Sequence, residues 1–171
     1  DLAANVRVFR EAIERADLVV ATGGLGPTDD DLTREAISAA TGKPLELDEP
    51  ALAHIRGMFV RRRREMPEKN VVQAMFPPGC RIVPNPNGTA PGIDMAVPRG
   101  ERGDARLFAL PGVPAEMREM WHATVVGQLH RAAGGKPRVI QHRRLKCFGV
   151  GESDLEQMLP DLIRRGRTPA V

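Results

Sequence analysis

Leu2, Val6, Phe9 and Ile13 recur at the spacing of one helical face, so the chain opens on a helix. The apolar run Leu18-Val19-Val20-Ala21, closed by Gly23-Gly24, predicts a buried strand. A second helix is expected from about Asp31 to Ala40, stopped by Gly42 and Pro44. Asp48-Glu49-Pro50 opens a third, with Leu52, Ile55 and Phe59 inward. Residues 77–105 are rich in Pro and Gly, with short strand candidates at 81–83 and 93–97, and residues 106–110 form a better one. The turn Pro111-Gly112-Val113-Pro114 leads into a helix with Met117, Met120, Trp121, Val125 and Leu129 on one face. Residues 139–148 read as an extended segment near a sheet edge. Ser153-Asp154-Leu155-Glu156 reads as a capping box opening a last helix, which Pro160 interrupts.

Strands that feed directly into helices, twice over, predict an α/β sandwich with a largely parallel sheet. A length of 171 residues suits one domain, and residues 43–80 are expected to form a small lobe within it. With 42% hydrophobic and 27% charged residues, the composition excludes a disordered chain. No apolar stretch approaches the roughly 18 residues of a membrane span. The net charge of +3, the single Trp and the lack of Tyr argue against a nucleic-acid partner. The run Arg61–Arg64 reads as a solvated last helical turn that complements the helix dipole, with a phosphate or nucleic-acid patch as the alternative. Cys80 and Cys147 have no disulfide or metal spacing and read as small buried residues in a reducing cytoplasm, and no signal segment opens the chain. His54, His122, His130 and His142 have no ligand spacing either.

The stretch from Thr22 to Thr33 carries the most chemistry. A strand ends, Gly23, Gly24 and Gly26 follow, and a helix begins. Glycines let backbone N–H groups approach an anion, and the helix start adds positive partial charge. It is neither a P-loop nor a complete dinucleotide fingerprint. Asp29, Asp30 and Asp31 would repel a phosphate unless Mg²⁺ lies between them. The alternative is that one of them caps the helix while the others favour its dipole. A second strand–turn–helix, Leu110 to Met117, would bring the Gly112 N–H and Glu116 to the same edge. A third stretch, Asn85-Pro86-Asn87-Gly88-Thr89-Ala90-Pro91-Gly92, offers amides and a hydroxyl to a ligand, or is a structural loop.

Taken together, these three stretches resemble signatures of the N-terminal domain of CinA-family proteins, related to the MoaB/Mog molybdopterin-binding domains. Met66-Pro67-Glu68 with Asn70 and Gln73-Ala74, and the Gly149–Ser153 turn, resemble two further signatures of that family. The resemblance implies a three-layer α/β/α sandwich with a mixed sheet, and a cleft at the strand ends for a nucleotide or pterin phosphate. It implies Mg²⁺-dependent hydrolysis of ADP-ribose to AMP and ribose 5-phosphate, or a non-catalytic molybdopterin- or nucleotide-binding module. In this reading Asp30 and Asp31 hold Mg²⁺, with Asp31 the first choice, and Glu116 orients water or binds ribose. The binding positions are Thr22, Gly23, Gly24, Gly26, Thr28, Asn85, Gly88, Thr89, Pro111 and Gly112. A homo-oligomer is implied too. The family's opening strand and Gly-Asp-Glu-Leu-Leu turn are expected to be missing before Asp1, and with them part of the cleft lining. Val71 and Val72 stand where many members carry basic residues. The family's C-terminal deamidase domain has no counterpart here, so its activity is not expected.

Overall fold

Helix α1 (Leu2–Arg15) forms where the apolar spacing predicts it, and the Asp1 side chain caps it by accepting the Ala3 N–H at 3.0 Å. The structure is a computed structural model that describes residues 1–132, 142, 144 and 146–160. The chain divides into two units, residues 1–136 and 137–171.

The first unit is built on a four-stranded sheet. Its strands are β1 (Leu18–Thr22), β4 (Arg81–Val83), β5 (Gly92–Pro98) and β6 (Asp104–Leu110), in the order β1-β6-β5-β4. β1 runs parallel to β6, with Leu18 opposite Arg106 and Thr22 opposite Leu110. β5 is antiparallel to both β6 and β4. The sheet is therefore mixed, and only the β1–β6 pairing is parallel among the described strands. The connections explain why, since the few residues between β4, β5 and β6 suffice for hairpins, whereas a parallel pair needs a crossover of a dozen residues or more.

β1 departs from its predicted burial. Val19 is buried, but Leu18 and Val20 remain 39% and 40% exposed. An apolar run suits a strand covered on both faces; β1 is the outermost strand of the described sheet, and among the described residues the face carrying Leu18 and Val20 is left partly open.

Alternation along β6 divides the core into two layers. Leu107 and Ala109 pack with Ile13, Val19 and Ile37, whereas Phe108 and Leu110 pack with Val83, Met120 and Val125. Helices cover both faces of the sheet, which makes the three-layer α/β/α sandwich. The second layer is carried by α4 (Pro114–Met120), a single wide π turn (Trp121–Val125) and α5 (Val126–Ala132). The predicted apolar face survives this interruption. Met120 and Val125 stand five residues apart, a spacing that a π turn aligns better than a regular α-helix.

α2 (Thr33–Thr41) ends on Gly42 in the left-handed region at φ 67°, as the Gly42-Pro44 signal predicts. α3 (Glu49–Arg61) is capped by Asp48, whose Oδ1 accepts the Ala51 N–H at 2.7 Å. Asp48→Ala is expected to cost about 1 kcal/mol of stability, read as a lower urea midpoint with an unchanged slope. Arg61 to Arg64 are all exposed at the end of α3, and Arg62 Nη2 donates to the Asn87 carbonyl at 3.1 Å. Residues 43–80 hold a two-stranded antiparallel sheet, β2 (Glu46–Leu47) and β3 (Met75–Phe76), and a 3₁₀ segment (Glu68–Ala74). Their apolar residues Leu52, Ile55, Ala74 and Phe76 join the same cluster as Val19 and Leu107.

In the second unit, α6 spans Glu152–Met158 and stops before Pro160. The expected capping box is not used. Gly151 is the N-cap and makes no side-chain bond, so Ser153 sits inside the first turn, where Glu152 and Asp154 place negative charge at the positive end of the helix. The extended segment expected over 139–148 lies largely outside the described residues, and those described within it have no regular structure. No helix among the described residues is long and apolar enough to cross a membrane.

Candidate functional site

The carboxyl ends of β1 and β6 lie side by side, and each runs into a turn. Gly23 and Gly24 take φ values of 92° and 67°, which only glycine adopts without strain. Gly23 N–H donates to Leu110 O at 2.9 Å, so the two turns begin tied together. They also touch, since a Cβ on Gly112 would lie 3.3 Å from the Gly23 Cα. From here the first turn is pinned to α2 by Thr33, whose N–H reaches Gly24 O at 3.1 Å and whose hydroxyl donates to Gly23 O at 2.9 Å.

The three aspartates behave neither as a cap nor as a triplet. α2 has Leu32 at its N-cap position with no side-chain bond, so none of them caps it. Asp31 instead folds back on its own turn, accepting at Oδ2 from the Thr28 N–H at 3.0 Å and from the Thr28 hydroxyl. Burial pushes the Asp31 carboxyl up. The Thr28 hydroxyl and amide, the Gly26 amide and the charge of Arg34 outweigh that and hold it below its ordinary 3.8. It is thus ionised at neutral pH. Its contribution to stability is present above that ordinary value and is lost only as the pH falls through the lower folded value. A Cβ on Gly26 would stand 2.3 Å from Asp31 Oδ2, so a larger residue there would displace that carboxylate.

The opposite wall is organised by Asn85, which is buried. Its Oδ1 accepts the N–H groups of Gly88 at 2.8 Å and Asn87 at 3.2 Å. Its Nδ2 donates to Ala90 O at 3.0 Å and to Glu116 Oε2 at 2.7 Å. Pro114 starts α4, as its fixed φ favours, and this puts Glu116 in the first turn. Gly88 passes so close that a Cβ would overlap the Glu116 carboxylate, 2.1 Å from Oε2.

Between these walls lies a cleft of about 370 Å³, lined by the glycine turn (Gly23, Gly24, Leu25, Gly26), Asp31, Gln73, Thr89, Ala90, and the second turn through to Glu116. Its size suits a small ligand. A wider hollow of about 850 Å³ runs along α1 from Asp1 to Glu14. Among the described residues it is lined by that one helix alone and gathers no turn of backbone donors, so the smaller cleft is the candidate site.

The cleft brings together Gly23, Gly24, Gly26, Asp31, Thr89, Pro111, Gly112 and Glu116 of the predicted set. Asn85 and Gly88 stand behind Glu116, and Thr28 behind Asp31. Thr22 closes β1, and Asp30 is exposed; neither lines the cleft. Among the described residues no group of three or more His, Cys, Asp or Glu side chains is placed to hold a metal ion. The cysteines divide. Burial, helped by the Asp94 charge, pushes the Cys80 thiol up to about 11, so it is uncharged, whereas Cys147 is exposed in an irregular segment and not buried as expected.

Two residues escaped sequence reasoning. Gln73 lines the cleft and is buried, accepting from Asn70 Nδ2 at 2.9 Å. Arg34 is 1% exposed and donates to carbonyls of three separate segments. A Gln-Ala pair belonged to a recognised signature, but nothing marked Arg34. Its sequence neighbourhood is that of an ordinary helix start.

Residues 1–131 match the family model described as "Probable molybdopterin binding domain". The whole chain is 45% identical to a Symbiobacterium thermophilum protein named for competence-damage induction, of which it covers 39%. It is also 45% identical over 167 residues to a CinA-like protein of Thermomicrobium roseum, again covering 39% of that protein. The chain thus spans about two-fifths of the length of these relatives. Among solved structures, the protein CinA of Thermoplasma acidophilum, described as of unknown function, superposes with a TM-score of 0.63. It is 38% identical, over 74% of this chain and 71% of that one.

Proposed function

The chain belongs to the molybdopterin-binding domain family, on its CinA-like side, and from that premise we propose that its cleft hydrolyses the phosphoanhydride of an ADP-ribose-like nucleotide. The supporting observation is that two glycine-bearing turns, at Gly24 and Gly112, and two carboxylates from different elements, Asp31 and Glu116, line one small cleft. Backbone N–H groups at such a turn suit phosphate oxygens.

Water is the second substrate. Its oxygen forms a bond to one phosphorus while the bond from that phosphorus to the bridging oxygen breaks, and the bridging oxygen leaves with the other phosphate. Glu116, held at Oε2 by Asn85, orients the water through its carboxylate and accepts a proton from it. Gly24 and Gly112, which have no Cβ to bar a close approach, let the phosphates lie against the two turns and in line with the water. Asp31 would hold Mg²⁺ as a single carboxylate at the cleft wall, since that ion needs only one or two carboxylates from a protein beside substrate phosphates. Asp30 adds nothing from the cleft wall, because it is exposed outside the lining. Mg²⁺, when bound, neutralises the charge that develops on the phosphates.

The test is AMP release from ADP-ribose, followed by chromatography with and without Mg²⁺, for this chain and for Asp31→Asn. Metal-dependent release that drops by about a hundredfold or more in the variant is expected. Release that survives the substitution would remove Asp31 from its role. A second reading, a binding module without turnover, is favoured by the Asp31 carboxylate being already engaged by Thr28. Under that reading AMP binds but no release occurs at any Mg²⁺ concentration.

A further inference from the structure

Arg34 is the second residue of α2 and is almost wholly buried, yet among the described residues it forms no ion pair. Its Nη1 donates to Leu25 O at 2.5 Å, and its Nη2 donates to Pro91 O at 3.1 Å and Gln73 O at 3.3 Å. Nε has no partner, and the Phe76 ring lies 5.7 Å from the guanidinium carbon. Burial pushes the guanidinium down to about 10, against the charges of Glu35 and Asp31, so it is still a cation at neutral pH.

Its three acceptors identify its task. Leu25 lies in the glycine turn, Gln73 in the 3₁₀ segment, and Pro91 directly follows Thr89 and Ala90. These segments supply three walls of the cleft. They are 9, 39 and 57 residues away in sequence from Arg34, and one planar group holds them all. The Leu25–Gly26 peptide adds a link. In a trans peptide the N–H points opposite to the C=O. With the Leu25 carbonyl turned to Arg34, the Gly26 amide faces the Asp31 carboxylate. A buried arginine bonded only to carbonyls is an expensive way to fill space, and an apolar side chain would serve stability as well.

We propose that Arg34 is the positioning residue of the cleft, fixing through three carbonyls the spacing of backbone donors and carboxylate that grips a phosphate-bearing ligand. The inference rests on the phosphate-binding reading above. It assigns Arg34 no contact with the ligand itself.

The probe is inorganic pyrophosphate with Mg²⁺, titrated calorimetrically into the wild-type chain and Arg34→Lys. The rise in Tm at saturation is measured from each protein's own ligand-free Tm. Lysine keeps the charge but cannot span three carbonyls, so a Kd weaker by about tenfold and a smaller rise in Tm are expected. A role in stability alone lowers only the ligand-free Tm; an unchanged Kd and an unchanged rise overturn the proposal. Failure of the wild-type chain to bind pyrophosphate overturns the phosphate-binding reading, and this inference with it. If Arg34→Lys does not fold, hydrogen exchange on the wild-type chain decides. Pyrophosphate is expected to slow the amides of all three walls together, and slowing confined to one wall overturns the proposal.

Discussion

Asp94→Ala is expected to cost about 3 kcal/mol, read as a lowered midpoint in urea unfolding. The Asp94 side chain is wholly buried on β5. Arg106 Nη2 donates to its Oδ2 at 2.8 Å, and Gln128 Nε2 donates to the same oxygen at 2.6 Å. Arg106 Nε lies 2.5 Å from Oδ1 as a charge contact that is not an aligned hydrogen bond, and Arg81 Nε stands off at 3.8 Å. Removing the carboxylate leaves the Arg106 side chain held, among the described residues, by Gln128 Oε1 and the Phe108 ring. Because Arg106 is 36% exposed and reaches water, the loss belongs at the lower end of the range for broken buried pairs. A loss below about 1 kcal/mol would show that water takes over the whole pairing.

Gly88→Ala is expected to do the opposite, sparing stability and damaging the site. The new Cβ would overlap the Glu116 carboxylate, 2.1 Å from Oε2 and 2.4 Å from Cδ. That carboxylate is the free end of a flexible, half-buried side chain, so it swings away and breaks its bond to Asn85 Nδ2. The unfolding midpoint is expected to move by no more than about 1 kcal/mol. AMP release, however, is expected to fall roughly ten- to hundredfold, the usual result of displacing a group in a reacting site by about 1 Å. Glu116→Gln supplies the control. If Gly88→Ala releases AMP at the wild-type rate while Glu116→Gln does not, the carboxylate has kept its place and the steric reasoning is wrong.

Local signals carried most of the elements. Asp48 before Pro50, Gly42 after α2 and Pro114 at the start of α4 each fix a helix end by backbone chemistry that needs no distant partner. The two glycine turns were legible for the same reason, and with them Asp31 and Glu116. Failures came where the deciding neighbour is remote. The apolar run of β1 does not reveal that the strand lies at the edge of the described sheet. The share of antiparallel pairing follows from hairpins between β4, β5 and β6, not from the strand sequences. At the α6 N-terminus Ser153 had a plausible box, and Gly151 took the cap instead. Arg34 was the hardest to see, because its three acceptors are main-chain oxygens and any residue can supply one.

The parallel pairing of β1 sets a timetable for biosynthesis. In the described sheet β1 has one partner, β6, which lies about ninety residues further along the chain. At roughly 5–20 residues per second, a ribosome needs about 4–18 s to deliver it. Until then the Gly23 amide has no Leu110 carbonyl to meet, and the turn that carries Asp31 lacks its anchor. The nascent chain holds α1 and the Gly23–Gly24 turn in waiting, and the cleft is closed by residues made after them.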